Sequence, residues 1–136
     1  MATDYSAYLR RFERRELGPE HFDHPGHLLM AWVHLHHYDP DEATRRVCDG
    51  VRELASGFGA PEKYSHTLTI AFMRLINKRM QGQSSDRFEE FLAANPDLVL
   101  DAQSLLFRHY SRDRLNSEQA RREWLEPDLE PFDEPG

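Results

Sequence analysis

The chain has 136 residues, 24 acidic and 17 basic, a formal net charge of −7 and one cysteine. That length suits one domain with a real hydrophobic core, and an acidic chain without a basic stripe argues against a nucleic-acid partner. Cys48 alone excludes an internal disulfide and fits a reducing, cytoplasmic setting; no signal-type segment opens the chain, and no apolar run approaches the ~20 residues of a membrane span.

Hydrophobic periodicity predicts an all-α, single-domain bundle of about six helices over residues 1–125, followed by a Pro-rich acidic tail over 126–136. Thr3 and Asp4 can cap a first helix over 3–16, in which Tyr5, Tyr8, Leu9 and Phe12 recur at helical spacing; Gly18-Pro19 ends it. Asp23 can cap a second helix over 24–38, with Pro25 in its first turn, where a missing N–H costs nothing. That helix is apolar almost all round from Leu28 to Leu35, the mark of a central element. A third helix, about 41–57, carries Ala43, Val47, Val51 and Leu54 on one stripe, and a fourth, about 62–81, is apolar on most sides. Ser85 can cap a short helix to Ala94, Asn95-Pro96 separates it from one over 97–110, and Asn116 or Ser117 can cap a last helix to Leu125.

Six of the eight histidines fall between positions 21 and 37. His24 and His27 open the second helix, and His66 opens the fourth, within Tyr64-Ser65-His66-Thr67-Leu68-Thr69. Short loops make neighbouring helices antiparallel, so the second and fourth helices have their N-termini at one end of the bundle. Glu13, near the end of the first helix, is expected to reach that end too. Helix N-termini are electropositive and disfavour imidazolium, which keeps such rings in the neutral, metal-binding form. Two or three His with a carboxylate and open positions form a ligand set of non-haem iron and many zinc enzymes. The plainer alternative is that HxxH is a loose pattern and that a His at a helix N-terminus simply caps or packs. His34 follows His27 by seven residues on one helix face and is a candidate to support it from behind; His36 and His37 read as surface residues.

Arg74 interrupts the apolar run from Ile70 to Ile76. Read as buried, it needs a partner: a structural carboxylate such as Glu13 or Asp101, or the acid group of a substrate. Thr67 can line a pocket or bond back to the helix backbone. Trp32, Phe72 and Met73 read as core. Cys48 has no catalytic pattern around it, and neither a Gly-rich phosphate loop, nor a nucleophile elbow, nor a CxxC pair occurs.

The motifs Leu9-x-x-Phe12-Glu13, Phe22-x-His24-x-x-His27-Leu28, Tyr64-x-x-Thr67-Leu68-Thr69, Tyr110-Ser111-Arg112-x-Arg114-Leu115 and Glu126-Pro127-Asp128-Leu129 follow one another along most of the chain. In that order they resemble a widespread group of small, largely uncharacterised bacterial helical proteins. The group carries Phe-Glu, His-x-x-His-Leu, Tyr-His-Glu-Thr-x-Thr and Tyr-Ser-x-x-x-Leu. The resemblance implies a shared pocket near Glu13, His24, His27 and the Tyr64 turn, without naming a reaction. One departure matters: where the group has His-Glu, this chain has Ser65-His66.

The expectation drawn from these residues is a small metal-dependent enzyme, an oxidoreductase in its iron form. Glu13, His24, His27 and His66 would hold a divalent metal ion, iron first and otherwise zinc, copper or manganese. His24, His27 and Tyr64 would act on a small-molecule substrate positioned by Thr67 and Arg74. The alternatives are a metal-free enzyme in which His24 or His27 is the general base of an isomerisation, elimination or hydrolysis, and a non-catalytic module whose acidic tail docks on a partner such as a second copy in a homodimer.

Overall fold

The protein is described by a computed structural model covering residues 5–82 and 87–132, so the expected caps Thr3, Asp4 and Ser85 lie outside the described residues. Those residues form eight α-helices and no strand, around one continuous core. None of these helices is long and apolar enough to cross a membrane.

Helix α1 (Ser6–Glu13) is shorter than expected at its C-terminal end. Arg15 takes a left-handed φ of 59°, with Arg15 N–H bonded to Phe12 O and Glu16 N–H to Arg11 O. These paired bonds close a Schellman motif, which normally has glycine at this position. An arginine there gives no sequence signal for the stop.

Helix α2 (His24–His37) starts where Asp23 Oδ1 accepts the Gly26 N–H at 2.8 Å. Helix α3 (Pro40–Gly57) starts two residues after α2 ends, with Asp39 as its cap. Leu28, Ala31, Trp32 and Val33 are essentially fully buried, because α2 packs against α3 and against four further segments. The α1 contact with this pair depends on Gly50: a Cβ at that position would run into the Phe12 ring. The absence of a side chain lets Phe12 sit against the α3 backbone, beside the ring of His34 at 4.6 Å.

Helix α4 (His66–Gln81) is capped by Ser65, whose Oγ accepts the Leu68 N–H, and it starts later than expected because Pro61–Lys63 form a separate 3₁₀ turn. Helices α5 (Phe88–Ala94) and α6 (Pro96–Leu106) follow. The second is bent at Asp101 (φ −155°, ψ 46°) and ends at Leu106, short of 110. A short helix, α7 (Arg112–Leu115), capped by Ser111, precedes the last one, α8 (Glu118–Arg122), which is capped by Ser117 as expected and ends short of Leu125.

The segment after Leu125 lies extended on its own chain. Leu129 N–H bonds His109 O, His109 Nδ1 donates to Glu130 O, Lys78 Nζ donates to Phe132 O, and Phe132 is buried against His109 and Tyr110. This part of the tail is therefore integral to the domain, not a free arm waiting for a second chain.

His34 is fully buried, and its Nδ1–H donates to Met30 O at 2.8 Å while Nε2 has no partner among the described residues. Burial pushes its pKa down to about 4. The folded state thus excludes a proton that the unfolded chain binds below about 6.5. Stability from this group is complete above that pH and lost as pH falls toward 4, by up to about 1.4 kcal/mol per pH unit. Urea melts between pH 7 and 5 should show this slope, with His27 adding to it in the same direction. His34→Gln, which does not titrate, should flatten it; an unchanged slope in the variant would contradict the assignment.

Candidate functional site

Two clefts share one end of the bundle. The first turns of α2 and α4 both face a hollow of about 290 Å³ that His24, His27, Met30, Ser65, Thr69 and Phe72 help to line, closed on a third side by Ala102, Gln103 and Leu106 of α6. It adjoins a second hollow of about 430 Å³ under Phe22, Leu54 and Phe58; His27, Val51, Lys63 and Tyr64 belong to both. The combined lining is mostly apolar with a few polar points, the usual character of a small-molecule site. Phe72 is thus a cleft wall and only partly buried, not the core residue expected.

The two histidines are held differently. His24 Nε2 lies 2.7 Å from Leu98 O. A carbonyl only accepts, so Nε2 carries the proton and Nδ1 keeps the lone pair in the neutral ring. His27 is half-buried and touches the ring of Phe22 at 5.8 Å, yet neither of its nitrogens has a hydrogen-bond partner among the described residues. Its pKa is lowered, first by burial and then by neighbouring His24. At neutral pH it is an uncharged imidazole with an unused lone pair facing an apolar cleft.

The other expected ligands lie elsewhere. Glu13 Oε1 accepts from Tyr38 Oη at 2.7 Å and from Arg46 Nη1 at 3.3 Å. Tyr38 is the C-cap of α2, roughly 20 Å along the helix from His24 at 1.5 Å per residue. The C-terminal end of α1 therefore lies beside the C-terminal end of α2, not its first turn, so Glu13 does not join His24 and His27. His34, bonded to Met30 O, is not a partner of His27 either.

His66 faces a different cleft, one of about 890 Å³ between α3 and α4. Its Nδ1 is 2.7 Å from Tyr64 Oη and 3.4 Å from Arg52 Nη2. Arginine can only donate, so Nδ1 is the acceptor and Tyr64 donates to it. Burial, then Arg52, lowers the His66 pKa. Cys48, buried and passed over in the sequence, lies beside the same hydroxyl and lines the same cleft; burial raises its pKa. Tyr64 therefore presents its ring to the His27 cleft while its hydroxyl is committed to His66. Position 65, not 66, faces His24 and His27, and there the chain has a serine. No group of three or more metal-competent side chains forms among the described residues. His24 and His27 are the two donors of the expected set that share a cleft.

The two expected substrate contacts are also reassigned. Thr67 is fully buried; its Oγ1 donates to Glu123 O at 2.6 Å and accepts the Leu125 N–H at 3.0 Å. It clasps the segment after α8 and lines neither cleft. Arg74 is exposed, with its guanidinium 4.6 Å from the Trp124 ring centroid, and needs no buried counter-ion. The Tyr110-Ser111-x-x-x-Leu115 motif has a structural role as well: Tyr110 Oη donates to Leu125 O at 2.7 Å, and Ser111 caps α7.

No protein-family model, curated protein or solved structure matches the chain.

Thr67→Val keeps the shape but leaves the Glu123 carbonyl and the Leu125 N–H unpaired, so it should cost about 1–3 kcal/mol. Chemical denaturation checks the size. Occupancy of the His27 cleft, followed through the His27 imidazole resonances, should not change. A variant with wild-type stability would remove the clasp assignment.

Proposed function

We propose that the protein is a small-molecule enzyme whose substrate sits in the His24–His27 cleft, with His27 as general base of an isomerisation, elimination or hydrolysis. The observation that carries this reading is the neutral, unpartnered imidazole of His27 in an apolar hollow. A ring without internal partners has its lone pair free for a substrate proton, and lowered basicity keeps that lone pair available at neutral pH. His24, fixed through Leu98 O, positions the first turn of α2 and contributes to the lowered pKa of its neighbour. Val51, Leu68 and Phe72 supply apolar contact, while Lys63 and Gln103 at the rim are the groups able to meet a polar end of the substrate. The motif resemblance belongs to the same proposal: His-x-x-His-Leu would supply the base of a shared helical-end pocket.

A second reading keeps the divalent metal, iron first. Metal-binding histidines characteristically donate their other ring N–H to a carbonyl, as His24 does to Leu98 O. His24 Nδ1 and His27 fit two positions, a carboxylate or third imidazole is not among the cleft's described residues, and the ion would supply Lewis-acid activation.

The test starts from a metabolite-library thermal-shift screen, followed by turnover assays on each hit. His27→Gln should abolish turnover at unchanged fold. Because the base works deprotonated, wild-type activity should be full at neutral pH and fall only below pH 6.5, the ordinary imidazole value. Activity that survives chelation supports the general base. Activity lost on chelation and restored by iron, with metal content falling in the His24→Ala/His27→Ala double variant, supports the second reading instead. Unchanged turnover in His27→Gln sinks both.

A further inference from the structure

The cleft of about 890 Å³ between α3 and α4 is separate from the His27 hollow and lies on the opposite face of α4. Its α4 wall carries Arg74, Asn77 and Lys78, with His66 at the N-terminal end. Arg74 and Lys78 are one helical turn apart, and neither has a carboxylate partner among the described residues. Like charges at this spacing repel. Arg74 lies 4.6 Å from the Trp124 ring centroid, which holds the guanidinium by one face and leaves its edge donors unused. Lys78 spends one N–H on Phe132 O at 3.0 Å and has two more. On the α3 wall, Asp49 is engaged by Arg45 at 3.5 Å, and Asp41, in the opening turn of α3, lines the Lys78 end of the cleft without forming an ion pair among the described residues. At the far end His66 has its proton on Nε2, since Nδ1 accepts from Tyr64.

We propose that this α3–α4 cleft is a second ligand site, for a small molecule bearing a carboxylate or phosphate, which Arg74 and Lys78 bind as a charge pair. Asn77 lies between them on the same wall as a neutral donor, and His66 closes the site with a further N–H. The ligand relieves the repulsion between two like charges that the fold leaves unpaired. The proposal is independent of chemistry at His27.

Trp124 is the reporter, because it stacks on Arg74 and the chain has only two tryptophans. Trp32 is buried in the core and serves as the internal reference for the fold. In ¹⁵N-labelled protein, the two indole N–H resonances are followed during titration with inorganic phosphate, and separately with succinate, at ionic strength held constant with sodium chloride. The expected result is a saturable shift at the Trp124 indole with Trp32 unmoved. Saturation by phosphate alone identifies phosphate ligands, by succinate alone carboxylate ligands, and by both a general oxyanion site. Arg74→Gln should weaken the apparent affinity roughly tenfold or more, the loss of a charge-assisted bidentate contact. Lys78→Gln should weaken it to a lesser degree. Absence of a saturable shift with either anion would overturn the proposal, as would an equal shift in Arg74→Gln with the Trp32 resonance in its wild-type position.

Discussion

The fold depends on enclosing α2. A helix apolar on nearly every side cannot lie on a surface, so α3, α4, α5 and α6 must surround it. The contact of α1 with this group depends on a missing side chain in α3. Gly50 opens its backbone to Phe12, and Phe12 in turn closes over His34. Once α2 is enclosed and the α2–α3 connection is only two residues long, the first turns of α2 and α4 have to share an end. The candidate site follows from that constraint: His24 and His27 are where the central helix emerges from its enclosure.

Three of the five histidines of α2 show what that emergence does. His34, fully inside, is neutral because the core cannot solvate its charge, and its one donor is spent on Met30 O. His24, at the rim, is fixed through Leu98 O. His27 lies between them: buried enough for its basicity to fall, open enough to meet a ligand, and bonded to neither backbone nor side chain among the described residues. His34 Nε2 and the His27 ring both lack a hydrogen-bond partner among the described residues. The difference between His34 and His27 is therefore one of access, and access is what a binding residue needs.

Much of the scaffold was legible in the sequence because its signals are local. Asp23 and Ser117 cap helices by reaching N–H groups three residues ahead, and the all-round apolar run of α2 announces a central helix. The shared end of α2 and α4 followed from short loops alone. What sequence missed depends on contacts far apart in the chain or on a single step of helix phase. Antiparallel neighbours would put Glu13 at the other end, whereas residues 14–23 let α1 end beside the C-terminus of α2. Ser65 and His66, neighbours in sequence, face different clefts since one residue turns a helix by about 100°. Thr67 looked like a pocket residue until the segment at 123–125 was seen to close on it. Arg74 looked buried by its apolar neighbours, yet it lies outward against Trp124, fifty residues away.

The central claim is that His27 is an uncharged, unengaged base at the mouth of the bundle. An NMR pH titration of its imidazole nitrogens tests this most directly, with His27→Gln assigning the resonances. The account expects a midpoint below 6.5 and, at neutral pH, nitrogen shifts of a neutral ring without a strong internal hydrogen bond. A midpoint at or above 6.5, or nitrogens reporting a persistent bond to a protein group, would contradict it.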